Sequence, residues 1–543
     1  MENHAGRNVV NPNEAVKLVS HLKGGGQVQV DARPEVFLPG GANPIRDAAL
    51  TLGRLIARDR LYYYRGGAVV RIMLEDDDRK PTLVPVKAAA LPTAFERVAR
   101  LVKAKQIDGE WKSEPTIFTE QACKQILESD DFRECLPVLR VVARCPVLIE
   151  RDGELVEISG YDRKSGIFAV GEPAERVDLE TAKDLLFGVL DEFKFATSAD
   201  QSRALAALIA PALVLGGMLH GRAPLDLGEA DQSQTGKGYR NKLTAAIYGQ
   251  KVRTVTQQQS GVGGMEESFD AALINGDNFV CLDNIRGKIN SCKIELFLTE
   301  ESYPARVPYQ PVVNIDPTRT FVMMTSNNAD VTTDLANRSC CVRLLRRSSG
   351  HEFNEFPEGD ILDHVRAHQP RYLGAVFAVI RQWYRDGKPR TKETQHSFRA
   401  WVQKLDYIVQ TYLDAPPLMQ GHRATQERMT NPTLQWFREV VLAMRQYGHC
   451  GAWMRTGEIV DILSETEVRL PGMREHDVLS EDIVRKRVLQ AVGRNFSKSF
   501  RKEDEIDIDG HITRRRMYTD PMSSQQRREY FFVGEEEQTE VPF

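Results

Sequence analysis

DQSQTGKGYRNKL, residues 231–243, is the stretch whose reading decides the fold. A phosphate-binding loop is a strand, a turn of backbone N–H groups around the phosphates, and a helix that starts at a lysine. Gly236 and Lys237 meet that pattern. Asp231 stands where such a loop carries its first glycine, and Gly238 where it carries Ser or Thr. The flanks fit: PLDLGEA (224–230) precedes, and YRNKLTAAIYG (239–249) has the spacing of a helix that turns Leu243 and Ile247 inward. The expected nucleotide-binding set is Ser233, Gln234, Thr235, Gly236, Lys237, Gly238 and Tyr239, with Lys237 neutralising the β- and γ-phosphates. The competing reading is a glycine-rich helix N-terminus with an exposed lysine.

Three later segments bear on the choice. NFVCLDNIRG (278–287) is an apolar strand that delivers Asp283 and Asn284 at its C-terminal edge, where open parallel sheets place ligands. Asp283 is expected to hold Mg²⁺, and Asn284 to orient the attacking water. RTFVMMTSNN (319–328) ends an apolar run in Thr, Ser, Asn, Asn, which puts the Asn327 amide near the γ-phosphate. DLANRSCCVRLLRR (334–347) places Arg338 ahead of another buried strand, positioned to reach a neighbouring subunit's ATP. Each segment alone is also an ordinary core strand followed by a polar turn. Loop lysine, strand acid, strand Asn and arginine-strand, in that order, follow the layout of a ring ATPase core.

At these residues a family resemblance emerges. TGKGY (235–239), CLDN (281–284), RVPYQPVVNIDPTRTFVMMTSNN (306–328) and DLANRSCCVRL (334–344) resemble the AAA+ or superfamily 3-like helicase module of prophage and plasmid primase-helicases. The resemblance extends over about residues 130–465. LPVLRVVARCPVLIERDGELVEISGYDRKSG (136–166) looks like the segment ahead of the ATPase, and LDEFKFATSADQSRALAALIAPAL (190–213) like its entry helix. HQPRYLGAVFAVIRQWYRDGKP (368–389) with SFRAW (397–401) looks like its helical lid. It implies that Lys237, Asp283, Asn327 and Arg338 are the loop lysine, Walker B acid, sensor 1 and arginine finger, with ATP and Mg²⁺ as cofactors. Two departures stand out. Gly238 removes the hydroxyl that ordinarily ligates Mg²⁺, leaving Thr235 or water to complete the shell around Asp283. Asn284 replaces a common Glu, which lowers the expected turnover.

The 543 residues argue for several domains. With 41% hydrophobic and 27% charged residues the chain can bury real cores, and a net charge of −4 confines any nucleic-acid contact to local patches. ALAALIAPALVLGGMLHG (204–221) is the most apolar run, too short to span a bilayer and expected to be a buried helix broken at Pro211. The N-terminus has no apolar segment of the signal-peptide kind, so a cytoplasmic location is expected. The eight cysteines form no CxxC pair, which argues for reduced thiols and against a zinc site.

The expected class is multidomain α/β. A mixed α+β domain spans 1–195, followed by a P-loop AAA+ core with a parallel sheet (196–350) and a helical lid (351–415). A linker and helix (416–450), a winged-helix-like domain (451–520) and a tail (521–543) complete the chain. In the first part, LYYYRGGAVVRIML (61–74) reads as two strands around a Gly-Gly turn, TAFERVARLVKA (93–104) as a helix, and 145–170 as a small antiparallel sheet. No acidic cluster of a primase site is present on candidate strands there.

DNA contact has two candidate places. ESYPARVPYQPVVN (301–314) lies between the Walker B and sensor 1 segments, where superfamily 3-like motors place a pore hairpin, so Arg306 and Tyr309 are expected to track a strand. In the C-terminal part, helix 456–465, helix 480–496 and strand 512–520 form a winged-helix pattern, with Arg485, Lys486, Arg487, Arg514, Arg515 and Arg516 facing DNA. A winged helix also serves protein–protein contacts. The resulting expectation is an ATP-dependent DNA helicase or translocase of a mobile element, acting in replication as a ring, a hexamer, on single-stranded or forked DNA. It leaves room for a separate primase or polymerase as partner and for no membrane. The alternatives are an AAA+ initiator, loader or defence ATPase that remodels without unwinding, and a DNA-binding regulator with a degenerate ATPase core.

Overall fold

The computed structural model describes residues 32–534, apart from 40–42, 75–80, 109, 231–233, 257–263, 286–287, 328, 348–349, 467, 474–476, 501–502, 509–510 and 520–525. The chain divides into two compact units, residues 1–62 with 86–136, and residues 63–85 with 137–543. Residues 137–195, read from the sequence with the first domain, therefore belong to the second unit.

In the first unit Phe95 packs edge-on against Phe118 and Phe132, under the helix Ile45–Arg58 that buries Leu52 and Ile56. The expected helix at 93–104 stops early. Helix Leu91–Val98 ends at Ala99, and Arg100–Ile107 is a strand between Glu35–Phe37 and Glu110–Pro115. The hairpin turn at Asp108, with φ of +53°, supplies ladder partners that outweigh the local helical spacing.

The second unit opens with the hairpin Tyr62–Arg65 and Ala68–Leu74, joined by Gly66 and Gly67 at positive φ as the sequence predicts. Glycine is required at 66 on a second count: a Cβ there would lie 2.1 Å from the Asn314 carbonyl oxygen. In place of the single antiparallel sheet expected over 145–170 come two ladders, Val147–Arg151 with Glu154–Ile158 and Gly160–Asp162 with Ile167–Ala169, the latter also pairing parallel with Val141–Ala143. Asp162 accepts from Ser165 and Arg151 at a strand-end turn.

A six-stranded sheet dominates this unit. In chain order its strands are β1 (Lys194–Phe195), β2 (Leu225–Ala230), β3 (Arg253–Thr256), β4 (Phe279–Ile285), β5 (Phe321–Asn327) and β6 (Ser339–Leu345). In space they run β1-β6-β2-β5-β4-β3, all parallel except β1. Both faces of the central strands are covered, so β4, β5 and β6 are apolar along most of their length, whereas the edge strand β3 is largely exposed. Phe279, Cys281, Phe321, Met323, Cys340 and Val342 face one layer of helices, and Leu225, Leu227, Val280, Leu282, Val322 and Met324 face the other.

Helix α1 (Ser198–Gly216) enters this core through a capping box between Thr197 and Asp200. It is not broken at Pro211. The Tyr248 hydroxyl donates to the Leu208 carbonyl at 2.7 Å and accepts from the Ala212 N–H at 3.2 Å. It thus occupies the backbone bond that the proline ring displaces, and the helix runs on. Helices α2 (Lys237–Ile247) and α3 (Met265–Ile274) flank the sheet. Leu243 and Ile247 are buried, as predicted.

Beyond the sheet come α4 (Ile361–Ala367), α5 (Gln369–Arg385) and α6 (Arg399–Tyr412), with Pro370 in the first turn of α5 and Gly387 at positive φ after it. The segment read as a polar linker contains α7 (His422–Thr430). The C-terminal part has helices α8 (Pro432–Gln446), α9 (Thr456–Leu463) and α10 (Asp482–Phe500). They pack on an antiparallel sheet of β7 (Trp453–Arg455), β8 (Glu505–Ile508), β9 (His511–Thr519) and β10 (Gln526–Phe532), in the order β7-β10-β9-β8. Residues 526–532, read from the sequence as tail, are thus an inner strand. Tyr530 and Phe532 alternate into the core and explain why it pairs. The acidic residues 535–543 lie outside the described ones.

Among the described residues no helix is long and apolar enough to cross a membrane. All eight cysteines are free thiols.

Candidate nucleotide site

Strands β2, β5 and β4 are neighbours, so their C-terminal ends bring three chain segments to one edge. From β2 the chain passes through 231–233, which include Ser233 and lie outside the described residues, to Gln234, Thr235 and Gly236. Gly236 has φ of +87°, and a Cβ there would lie 2.9 Å from a Phe193 ring carbon. Only glycine fits, and α2 starts at the next residue. The Lys237 ammonium group donates to the Asn327 side-chain oxygen at 2.7 Å and to the Thr235 hydroxyl at 3.2 Å. The sequence-predicted lysine and strand-end Asn therefore meet.

Asp283 joins them from β4. The β4–β5 register shifts between Leu282 and Ile285, and Asn284 takes φ of +51°. This bulge lifts Asp283 and Asn284 out of the β4–β5 ladder, while Asp283 stays paired with Thr256 of β3. The Thr325 hydroxyl donates to Asp283 Oδ1 at 2.6 Å and accepts the Asn284 N–H at 2.7 Å. Asp283 faces the first turn of α2, 3.7 Å from where a Cβ on Gly238 would stand. Asn284 is exposed.

Asp283 and Thr235 are the hard-oxygen donors that the sequence assigns to Mg²⁺. A carboxylate and a hydroxyl, hard oxygen ligands, stand beside a lysine at a helix N-terminus, and Mg²⁺ keeps most of its other positions for water and phosphate. Asp283 and Thr235 would hold it. Its chemistry would be to neutralise charge on the phosphates.

Next to the loop lies a cavity of about 370 Å³, lined by Phe193, Gln234, Tyr239, Phe353, Asp360 and Ile361 among others. Phe193, Tyr239, Phe353 and Ile361 supply aromatic and aliphatic wall, and Glu192, Lys194, Arg347 and Asp360 put charges around it, a lining that can take a flat heterocycle bearing polar edges. Tyr239 ties its two sides together, because its hydroxyl accepts from the Leu362 N–H at 3.2 Å. Burial, and then a hydrogen bond to Asp360, raise the Tyr239 pKa well above that of an ordinary phenol. Sequence reasoning found Tyr239 and the loop but missed Phe193, Phe353 and Asp360. Residues 193 and 353 flank the sheet segment in sequence, and only the fold joins them.

Arg338 is placed at the other end of the sheet. Its carbonyl accepts from Leu225 at the start of β2, whereas the loop follows the end of β2. Six residues of strand separate them, about 20 Å. Its nearest carboxylate partner is Asp334 at 3.8 Å.

The segment between β4 and β5 contains a hairpin, Tyr303–Ala305 paired with Val313–Ile315. Its base is anchored at Asp270, which accepts from the Tyr303 hydroxyl at 2.6 Å and from the Arg306 N–H at 3.3 Å. At its tip Tyr309 has φ of +62° and is fully exposed, and Arg306 is exposed beside it.

In the C-terminal part the basic residues have acidic partners. Arg485 binds both oxygens of Asp461 at 2.6 and 2.9 Å, and Arg487 binds Asp477. Arg514 pairs with Glu505 at 2.7 Å, Arg515 with Asp504 at 3.0 Å and Arg516 with Glu529 at 2.8 Å. Arg516 also lies 4.1 Å over the Trp453 ring. Lys486 is exposed on α10. The acidity of KEDEIDIDG (502–510) is visible in the sequence and argues for caution over DNA contact. The individual pairs, Arg485 and Arg487 with Asp461 and Asp477 and Arg514 to Arg516 with Glu505, Asp504 and Glu529, come from the fold.

Glu229, one residue before the end of β2, is buried and gripped by two guanidinium nitrogens of Arg428 on α7. It also accepts from the Ala329 N–H at 3.1 Å.

No protein-family model matches this chain, and no curated protein matches it. Solved structures do match. The apo C-terminal region of NrS-1 is 11% identical, covering 85% of this chain and 96% of that one, with a TM-score of 0.32. The SCCmec type IV Cch helicase is 11% identical, covering 87% and 93%, with a TM-score of 0.31. TM-scores of this size establish neither a common fold nor a common activity.

Proposed function

We propose that the chain is an ATP-driven DNA motor of a mobile element, a helicase or translocase that works as a homo-oligomeric, hexameric ring. One observation carries this reading: the two linked pairs, Lys237 with Asn327 and Thr325 with Asp283, at the C-terminal edge of three adjacent parallel strands. An ammonium group, an amide and a carboxylate converge there at a helix N-terminus beside an aromatic-walled cavity. That is the equipment for binding a nucleoside triphosphate and cleaving its terminal phosphate. Lys237 balances phosphate charge, Asn327 orients the lysine, and Asp283 with Thr235 holds Mg²⁺. The cavity by Phe193 and Phe353 takes the base. Arg338 is about 20 Å from its own loop, so it serves the site of the next protomer. The exposed tip at Tyr309, with Arg306, meets a DNA strand by stacking and charge.

The test is ATP hydrolysis by purified protein with and without single-stranded oligonucleotide, beside a Lys237→Ala control, followed by strand separation on a forked duplex. A chain that stays monomeric and has no nucleotide affinity at millimolar Mg²⁺ would end the proposal.

Gly238 and Asn284 favour a second reading, an AAA+ initiator, loader or defence ATPase that remodels without unwinding. Gly238 supplies no metal-ligating hydroxyl, and exposed Asn284 is no base. Slow hydrolysis without strand separation distinguishes this reading from the first.

A further inference from the structure

Between Phe353 and α5 stands a cluster that plays no part in the nucleotide reading. Glu358 lies in the tight turn closed by reciprocal backbone bonds between Phe356 and Gly359, each 3.0 Å. Gly359, at φ of +128°, allows that turn. His364 lies on α4 and His368, four residues on, caps its end, and both turn toward Glu358. Glu358 Oε2 meets His364 Nδ1 at 2.9 Å, and Glu358 Oε1 meets His368 Nε2 at 2.8 Å. One ligand atom from each residue lies within 4.8 Å of the others.

We propose that Glu358, His364 and His368 form a binding site for one divalent transition-metal ion of the zinc class, which staples the 353–359 loop to α4. Two imidazole nitrogens and a carboxylate select zinc, cobalt or nickel over magnesium or calcium. Ligands at 2.0–2.2 Å from a tetrahedral ion stand about 3.3 Å apart. The two Glu358 contacts, made by different carboxylate oxygens, need to open by a few tenths of an ångström, and the two imidazole nitrogens already lie within 4.8 Å of each other. Three protein ligands leave one position for water.

The ligands are held ready. The His364 ring stacks on Phe356, with centroids 4.5 Å apart and planes at 24°, and the Tyr372 ring stands 6.0 Å away on edge. His368 is fixed by its backbone at the joint of two helices: its N–H donates to the His364 carbonyl, and its carbonyl accepts from Arg371. Preset ligands lose little freedom on binding. The stapled loop carries Phe353, and Asp360 and Ile361 begin the helix, so the metal would brace one wall of the 370 Å³ cavity. The site does not depend on what that cavity binds.

The test uses the full chain, stripped with a chelator and titrated with Co²⁺ and then Zn²⁺. The expected result is one equivalent of Co²⁺ with the visible absorption of a four-coordinate ion, displaced by Zn²⁺. Hydrogen exchange in residues 353–359 should slow when the metal binds. His368→Gln, at the more exposed ligand, should weaken binding at least 10-fold while its unfolding midpoint in chelator matches the parent. Cys292→Ser, removing the exposed thiol, should leave binding intact. No Co²⁺ spectrum, or equal affinity in His368→Gln, overturns the proposal; loss of the signal in Cys292→Ser assigns the ion elsewhere and overturns it too.

Discussion

Thr325 holds Asp283 in place: its hydroxyl donates to Asp283 Oδ1 at 2.6 Å, having accepted the backbone N–H of Asn284 at 2.7 Å. One side chain thereby fixes both the orientation of the acid and the bulge that presents it. The bond forms only because β5 lies beside β4, and Thr325 is buried within its strand.

Thr325→Val keeps the volume and removes the hydroxyl. ATP hydrolysis should fall about 10-fold, the loss of one bond to a charged group. Thr325→Ser should restore most of it. Equal rates in all three proteins, measured at saturating ATP, would show that Asp283 needs no such support.

Lys237→Ala and Arg338→Ala should each lower hydrolysis at least 100-fold. Because the two side chains sit at opposite ends of the sheet, they act in one site only across a protomer boundary. Mixing the two inactive proteins in equal amounts should recover about a quarter of the parental rate, the share of random head-to-tail interfaces that pair an intact lysine with an intact arginine. A mixture as inactive as its components would count against the shared site.

Gly238 has space for a side chain: the nearest atom to a Cβ there is Asp283 Oδ1, at 3.7 Å. Gly238→Ser should set a hydroxyl beside that carboxylate and lower the Mg²⁺ concentration needed for half-maximal rate several-fold. A magnesium titration of parent and variant reads this directly, and an unchanged midpoint would refute it.

Gly236→Ala meets two obstacles, the positive φ and the Phe193 ring at 2.9 Å. The backbone alone costs about 1–2 kcal/mol, so the KM for ATP should rise about 10-fold or more. Phe193→Ala, which empties part of the cavity wall, should raise KM with little change in kcat, the signature of lost uniform binding. If KM holds steady in both variants, the base lies elsewhere.

His396 and His422 give the fold a pH dependence. Burial, and then the neighbouring His422, hold His396 neutral down to about pH 3. Burial, and then Arg203, hold His422 neutral to about 4. An unfolded histidine titrates near 6.5. Below that value the unfolded chain takes up protons that the folded one refuses. This stability is therefore fully present above pH 6.5 and is lost as pH falls toward 4. The loss approaches about 1.4 kcal/mol per histidine for each unit below 6.5. His396→Asn should flatten the fall in unfolding midpoint between pH 7 and 5; parallel curves would exclude His396 as a source.

The sequence made the loop, Asp283 and Asn327 legible because each lies at the tip of an apolar run, and such tips are local features. Thr325 was hidden, since its role depends on register between two strands. Phe193 and Phe353 were hidden because 160 residues separate them. The basic residues of the C-terminal part were seen, but not their neutralisation: Glu505 stands directly opposite Arg514, and Glu529 opposite Arg516, only once β8, β9 and β10 are paired. Pro211 misled for a similar reason, since the hydroxyl that repairs its helix comes from Tyr248, 37 positions on.

The grip of Arg428 on Glu229 ties α7 to the strand that leads into the loop. Shifting the end of β2 by more than the reach of that ion pair either drags α7 along or leaves the buried Glu229 carboxylate without its cation, at a cost of several kcal/mol. Strand tip and connecting helix are thereby tied at one point, and a displacement of either strains the other.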